Sequence, residues 1–135
     1  MKEAKELVLR YIDAVWNRGD LIALDGLTVP KFTYQLGNQS ARDLAEMRQF
    51  IATTRLAFPD WNVRPLQVIS EGALVVVRWQ GEVTHLGPFH GIEPTGRRIT
   101  VCGVNIYRVE NGKIADECEL MDSLGMLRQL GSLSA

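Results

Sequence analysis

RITVCGVNIYRVENGKIADECELMD, residues 98–122, reads as two apolar runs joined by Asn111-Gly112. Asn-Gly between alternating apolar residues is the strongest local signal for a β-hairpin, because both turn residues must accept positive φ. It predicts strands over about Arg98 to Val109 and Lys113 to Asp122. A two-residue loop sets Glu110 opposite Lys113, and counting outward pairs Tyr107 with Asp116, Asn105 with Cys118, and Gly103 with Leu120. Alternation then puts Asp116, Cys118, Leu120 and Asp122 on one face of the last strand, with Glu117, Glu119 and Met121 on the other.

Upstream of the hairpin the pattern is again that of strands. Val63 to Ile69 and Ala73 to about His85 flank the turn Glu71-Gly72, and His85 shares a face with Trp79, Val77 and Val75. A loop rich in Gly and Pro, Leu86 to Gly96, leads into the hairpin. The first 60 residues are mostly helical. Ala4, Leu7, Val8, Tyr11, Ile12 and Val15 form one apolar stripe over residues 3–17, ended by Gly19, and Asp20 caps a short helix over Leu21 to Leu27. Phe32 to Leu36 alternates as a short strand. Ser40 with Asp43 three residues on resembles a capping box, opening a third helix that runs to about Ala57, buries Leu44, Met47, Phe50 and Ile51, and ends before Pro59. The tail, Ser123 to Leu130, fits a final helical turn. Helices ahead of a meander give one α+β domain over residues 1–135: three N-terminal helices on one face of a strongly curved antiparallel sheet. A sheet curled around helices encloses a cone-shaped cavity, where ligand chemistry is expected.

Composition removes other classes. At 135 residues, 46% apolar and 23% charged, the chain is one ordinary domain, neither disordered nor fibrous. Fifteen basic against sixteen acidic side chains leave a net charge of −1, without the basic excess that nucleic acid or an anionic membrane demands. Apolar runs such as Ala73 to Val77 are too short to span a bilayer, and Lys2-Glu3 opens straight into a charged periodic segment with no signal peptide, so a cytoplasmic location is expected. Cys102 and Cys118 make neither a disulfide framework nor a zinc site. No Gly-x-Ser-x-Gly, His-Glu-x-x-His or dinucleotide fingerprint is present.

A set of short motifs then narrows the family. Ala57-Phe58-Pro59-Asp60, Glu71-Gly72, Thr84-His85-Leu86-Gly87, Gly91-Ile92-Glu93-Pro94-Thr95-Gly96-Arg97, Asn111-Gly112-Lys113-Ile114, and Asp122 with Gln129-Leu130-Gly131 occur in the order found in SnoaL-like polyketide cyclases (ester cyclases) of the NTF2-like superfamily. From the Trp16-Asn17-Arg18-Gly19-Asp20 helix end to Gly131, the chain resembles that family. The resemblance implies an NTF2-like cone and a lyase or isomerase of the cyclase type, working without cofactor or metal. It also implies that Asp122 is the acid/base of an intramolecular aldol cyclisation. Two positions depart from the family: Cys118 stands where a tryptophan is usual, and Phe32-Thr33-Tyr34-Gln35 lacks the usual histidine beside an acidic residue.

The candidate catalytic residues are therefore Asp122 and His85, with Tyr34, Trp61, Trp79, Asn105 and Cys118 lining a substrate pocket. A carboxylate in an apolar cavity has its charged form disfavoured and becomes a better proton acceptor. Removal of a proton α to a carbonyl leaves an enolate oxygen, and Asn105, His85, Tyr34 and Thr84 could donate to it. Asp122 also reads as the N-cap of the helical turn at Ser123, and His85 as a strand-end residue bonded to its loop. Arg78 and Glu82 read as a salt bridge on the outer face of the sheet. The expected partner is a small hydrophobic, polyketide-like carbonyl compound. Val104, Ile106 and Met121 would make the outer face apolar enough for a homodimer. The alternative function is a non-catalytic small-molecule-binding or dimerisation module.

Overall fold

The structure, a computed structural model, describes residues 2–132. Helix α1, Lys2–Tyr11, runs into a π-helical turn at Ile12–Asn17. Gly19, at φ +65°, breaks the run, and the Asp20 carboxylate accepts from the N–H groups of Ile22 and Ala23 to cap α2, Leu21–Leu27. Strand β1 is Thr28–Leu36 and helix α3 is Leu44–Ala57. The capping box of α3 is formed by Asp43 and Glu46, not from Ser40: the Asp43 carboxylate accepts from Glu46 N–H, and Glu46 reaches back to Asp43 N–H. Strands β2, Arg64–Glu71, β3, Leu74–Thr84, β4, Arg98–Glu110, and β5, Lys113–Met121, follow, then α4, Ser123–Gln129.

The α+β class holds, with an unclosed, curled sheet in the order β1-β5-β4-β3-β2. Strands β2 to β5 form the expected antiparallel meander. Strand β1 lies parallel to β5, so the sheet is mixed. A parallel neighbour needs a long crossover, which α3 and the meander supply together. As an edge strand, β1 also tolerates Pro30, which cannot donate to a ladder.

The turn of the last hairpin is as expected, with Asn111 at φ +50° and Gly112 at φ +76°, and Glu110 faces Lys113. Two residues further the register departs from a simple count. Val109 pairs with Ile114 but Arg108 with Asp116, so Ala115 is an extra residue. From there Tyr107 faces Glu117, Asn105 faces Glu119, and Gly103 faces Met121. A slip of one residue exchanges the two faces of a strand. Glu117, Glu119 and Met121 therefore point inward, while Cys118 and Leu120 point outward beside Ile106 and Val104.

The inner face packs Val75, Val77, Trp79 and Val83 of β3 and Ile99, Val101 and Tyr107 of β4 against Val8, Tyr11, Val15 and Trp16, all buried. Each fully buried side chain of this size stabilises the fold by about 1.5–3 kcal/mol. Gly103 gives Trp79 its place: a Cβ there would lie 3.0 Å from the indole and 2.6 Å from Leu120 O. On the outer face the Arg78–Glu82 pair is not formed. Residues four apart on a strand are about 13 Å apart. Arg78 instead donates to Gln67 across the ladder at 2.7 Å, and Glu82 pairs with Arg98 at 3.2 Å. None of the described helices is long and apolar enough to cross a membrane.

Candidate functional site

The bulge at Ala115 turns two carboxylates into the core. Glu117 and Glu119 are buried among aromatic side chains, 1% and 4% exposed. Such groups need hydrogen bonds, since a bare buried charge is prohibitive. Glu117 has four donors: Tyr11 OH to Oε1 at 2.7 Å, and Trp16 Nε1, Tyr107 OH and Asn105 Nδ2 to Oε2 at 2.9, 2.8 and 2.8 Å. Glu119 has a thinner set, Tyr34 OH at 2.7 Å and Asn105 Nδ2 at 3.4 Å, both to Oε1. The Asn105 amide joins the two and is itself oriented by Trp79 Nε1, which donates to Oδ1 at 2.8 Å.

The π-helical turn explains how one helix supplies two donors to Glu117. Tyr11 and Trp16 are five residues apart, which in an α-helix leaves them about 140° apart around the axis. Hydrogen bonds of the i→i+5 type widen the turn and bring residues at that spacing to one side. Both side chains then reach the same carboxyl group.

Burial and like charge shape the proton affinities. Loss of water pushes the Glu119 carboxyl up to about 7, Glu117 beside it pushes the same way, and the bonds from Tyr34 and Asn105 oppose both. Glu117 is also raised by burial, against the pull of its four donors. Tyr11, Tyr34 and Tyr107 are raised well above the usual phenol value, by burial first and then by the adjacent carboxylates. The phenols therefore remain donors, and Glu119 is a carboxyl group that exchanges its proton near neutral pH.

Tyr34, Trp79 and Asn105 thus meet in one network, although the two acids at its centre were not among the residues singled out in the sequence. Other expected residues lie elsewhere. Asp122 is exposed, and its carboxylate caps α4 by accepting from Gly125 N–H at 2.9 Å, so the cap reading describes it and the sheltered position does not. The bulge carries Cys118 to the outer face, opposite Ile106, instead of beside Asn105. His85 and Trp61 are buried near Phe58, with ring centroids 5.5 and 5.8 Å from it; neither bonds to the two acids, and Trp61 meets the edge of the network only through Trp79, at 6.2 Å between ring centroids. The sequence does hint at the acids: Ile114-Ala115, two consecutive apolar residues where alternation allows one, is how a bulge shows itself, and both are buried.

Two hollows bear on access. One of about 220 Å³ lies at the C-terminal ends of β1 and β5, lined by Leu36, Gly37, Gln39, Leu120, Met121 and Ser123 among others. Leu36 is on the rung of Glu119, and Gly37 N–H donates to Glu119 O at 2.9 Å. A larger groove, about 560 Å³, runs between α1 and the turns at Gly72 and Gly112, at the opposite end of β5 from this hollow. Among the described residues no three His, Cys, Asp or Glu side chains are grouped so as to hold a metal ion.

Comparison with known proteins agrees with this architecture. The family model for SnoaL-like polyketide cyclases matches residues 6–130. AclR, a candidate hydroxylase from Streptomyces galilaeus, superposes with a TM-score of 0.89 at 28% identity, over 100% of this chain and 89% of that one. IdmH, a candidate polyketide cyclase from Streptomyces antibioticus, superposes with a TM-score of 0.84 at 28% identity, over 95% and 98%. A candidate SnoaL-like polyketide cyclase from Jannaschia sp. CCS1 gives 0.90 at 24% identity, over 98% and 94%, a likeness of fold.

Proposed function

The chain belongs to the SnoaL-like polyketide cyclase family, and from that premise we propose that it is a cofactor-independent enzyme of the cyclase or isomerase type, acting on a small hydrophobic carbonyl compound with Glu119 as its acid/base. The observation that carries this reading is the Glu119 carboxyl itself: sheltered, bonded on one oxygen by Tyr34, and held at about 7. A general base works best when its proton affinity sits near the working pH. Asp122, the base implied by the resemblance, serves as a helix cap.

In the cyclase reaction Glu119 takes a proton from the carbon α to a carbonyl. The resulting carbanion adds to a second carbonyl carbon of the same molecule, forming a C–C bond, and Glu119 returns its proton to the new alkoxide oxygen. Atoms and charge balance without an external reagent. Glu117 keeps Asn105 and the Tyr107 hydroxyl in place and raises its neighbour's proton affinity. The route in is the hollow at the ends of β1 and β5, next to Leu36 and Met121. It is smaller than a typical pocket for a drug-sized ligand, about 300–1,000 Å³, which favours a small substrate or a narrow end of a larger one.

The test is hydrogen–deuterium exchange at C1 of 2-tetralone in D2O, followed by proton NMR. Wild-type protein accelerates the exchange, with a rate that rises with pH through about 7. Glu119→Gln abolishes the acceleration and Asp122→Asn leaves it intact. Equal rates for wild type and Glu119→Gln would remove Glu119 from the reaction. Uptake of small hydrophobic ketones with no acceleration of exchange would instead support the binding-module alternative.

A further inference from the structure

Two buried N–H groups beneath the loop between β3 and β4 lack an acceptor. Among the described residues His85 Nε2 and Trp61 Nε1 have no hydrogen-bond partner, although the two residues are 0% and 4% exposed. Buried donors are nearly always paired, so each such exception calls for an explanation.

The orientation of His85 is built rather than incidental. Thr95 N–H donates to Nδ1 at 3.1 Å. Thr95 Oγ1 accepts from Arg97 N–H at 3.1 Å, which leaves its own proton to point at Nδ1, 3.0 Å away. With donors approaching Nδ1 from both groups, the ring proton sits on Nε2. The main chain fixes the residue as well, with His85 N–H bonded to Arg97 O and Gly96 N–H to His85 O, each at 2.9 Å. Phe58 connects the two unpaired groups, its ring 5.5 Å from that of His85 and 5.8 Å from that of Trp61. Phe89 closes on the same Phe58 ring at 5.1 Å, and the N–H groups of Leu86 and Gly87 tie the loop to Ala57 O at the end of α3.

We propose that His85 Nε2 and Trp61 Nε1 are the paired donors of a ligand site under residues 86–96, for a flat hydrophobic molecule bearing a carbonyl or phenolate oxygen. Both groups can only donate, so a ligand atom that pairs with them is an acceptor. Phe58 and Trp61 are the aromatic side chains beside the two donors, and a flat ligand would pack among their rings. A ligand of the same shape without the oxygen leaves both donors unpaired and is rejected. The site is defined by binding alone and does not depend on proton transfer at Glu119.

Fluorescence titration with 2-acetylnaphthalene and 2-ethylnaphthalene tests this, since the two differ in the acceptor oxygen and little in shape. Wild-type protein is expected to prefer the ketone by about tenfold, although the hydrocarbon is the more readily driven from water. His85→Phe and Trp61→Phe each remove most of the preference while keeping an aromatic ring in place. Circular dichroism checks that the variants fold. Should either fail to fold, NMR on the wild type decides: the Trp61 indole Nε1–H and the His85 Nε2 resonances shift with the ketone and not with the hydrocarbon. No preference in the wild type, a preference untouched by both substitutions, or equal shifts with the two compounds overturns the site. A wild-type protein that shows no preference yet accelerates 2-tetralone exchange sinks this proposal and spares the acid–base reading.

Discussion

Replacing Glu119 by Gln keeps the size of the side chain and an acceptor for Tyr34 while removing the titrating group. The consequence for stability follows from the native value of about 7 against 4.5 for the ordinary side chain. Between those limits the native protein holds a proton that the unfolded chain has released. Unfolding free energy therefore falls as pH rises from about 4.5 through 7 and stays low above it. At 1.36 kcal/mol per unit, the loss by pH 8 is about 3 kcal/mol. Glu117 is raised too and acts in the same direction. For a chain of this length about 3 kcal/mol corresponds to a shift of about 10 °C in Tm. Urea denaturation of wild type and Glu119→Gln at pH 5 and pH 8 is the assay. Because pH 5 already lies above the ordinary value, the wild type is expected to lose about 2–3 kcal/mol more than the variant over that interval, so that Glu119→Gln is the more stable protein at pH 8 and roughly equal at pH 5. If the two proteins show the same pH dependence, the carboxyl group does not carry a raised proton affinity, and its role as a base at neutral pH fails with it.

Three other outcomes are expected. Tyr107→Phe leaves Glu117 Oε2 short of one donor in a buried setting, and a loss of about 1–3 kcal/mol in chemical denaturation is expected, larger at pH 8 than at pH 5. Asp122→Ala removes the cap of α4 and lowers stability by about 1 kcal/mol in the same measurement, without changing 2-tetralone exchange. Pairing of two copies through the outer sheet face would bury Leu74, Ile106 and Leu120. Ile106→Asp is then expected to convert a dimeric mass on size-exclusion chromatography into a monomeric one, and a wild-type protein that is monomeric at micromolar concentration refutes the pairing. Met121, which simple alternation puts on that face, packs inward and contributes nothing to it.

Much of the architecture was legible because local signals sufficed. Asn111-Gly112 placed the last hairpin, Gly19-Asp20 separated the first two helices, and the alternation of Val75, Val77 and Trp79 put His85 on the inner face. The parallel pairing of β1 with β5 was not legible, since nothing in Phe32 to Leu36 specifies the strand it will lie beside. One feature accounts for where Cys118, Glu117 and Glu119 face. Counting outward from Asn111-Gly112 assumes an unbroken ladder, and the extra Ala115 inverts every residue after it. An unbroken count faces Cys118 inward and leaves Glu117 and Glu119 on the outer face, where isolated acidic residues ordinarily belong. Asn105, Tyr34 and Trp79, expected to line a substrate pocket, do point inward, where Trp79 bonds to Asn105 and Asn105 and Tyr34 bond to the two acids.

The widened turn at Ile12–Asn17 makes the spacing of the first helix part of the chemistry of the last strand. Were the same six residues wound as regular α-helix, the indole of Trp16 would turn off Glu117, 101 residues away, and leave the acid one partner poorer. Deleting one residue between Tyr11 and Trp16 instead restores a spacing of four, about 40° around a regular helix, so the widened turn and its extra residue compensate each other in reaching one carboxyl group.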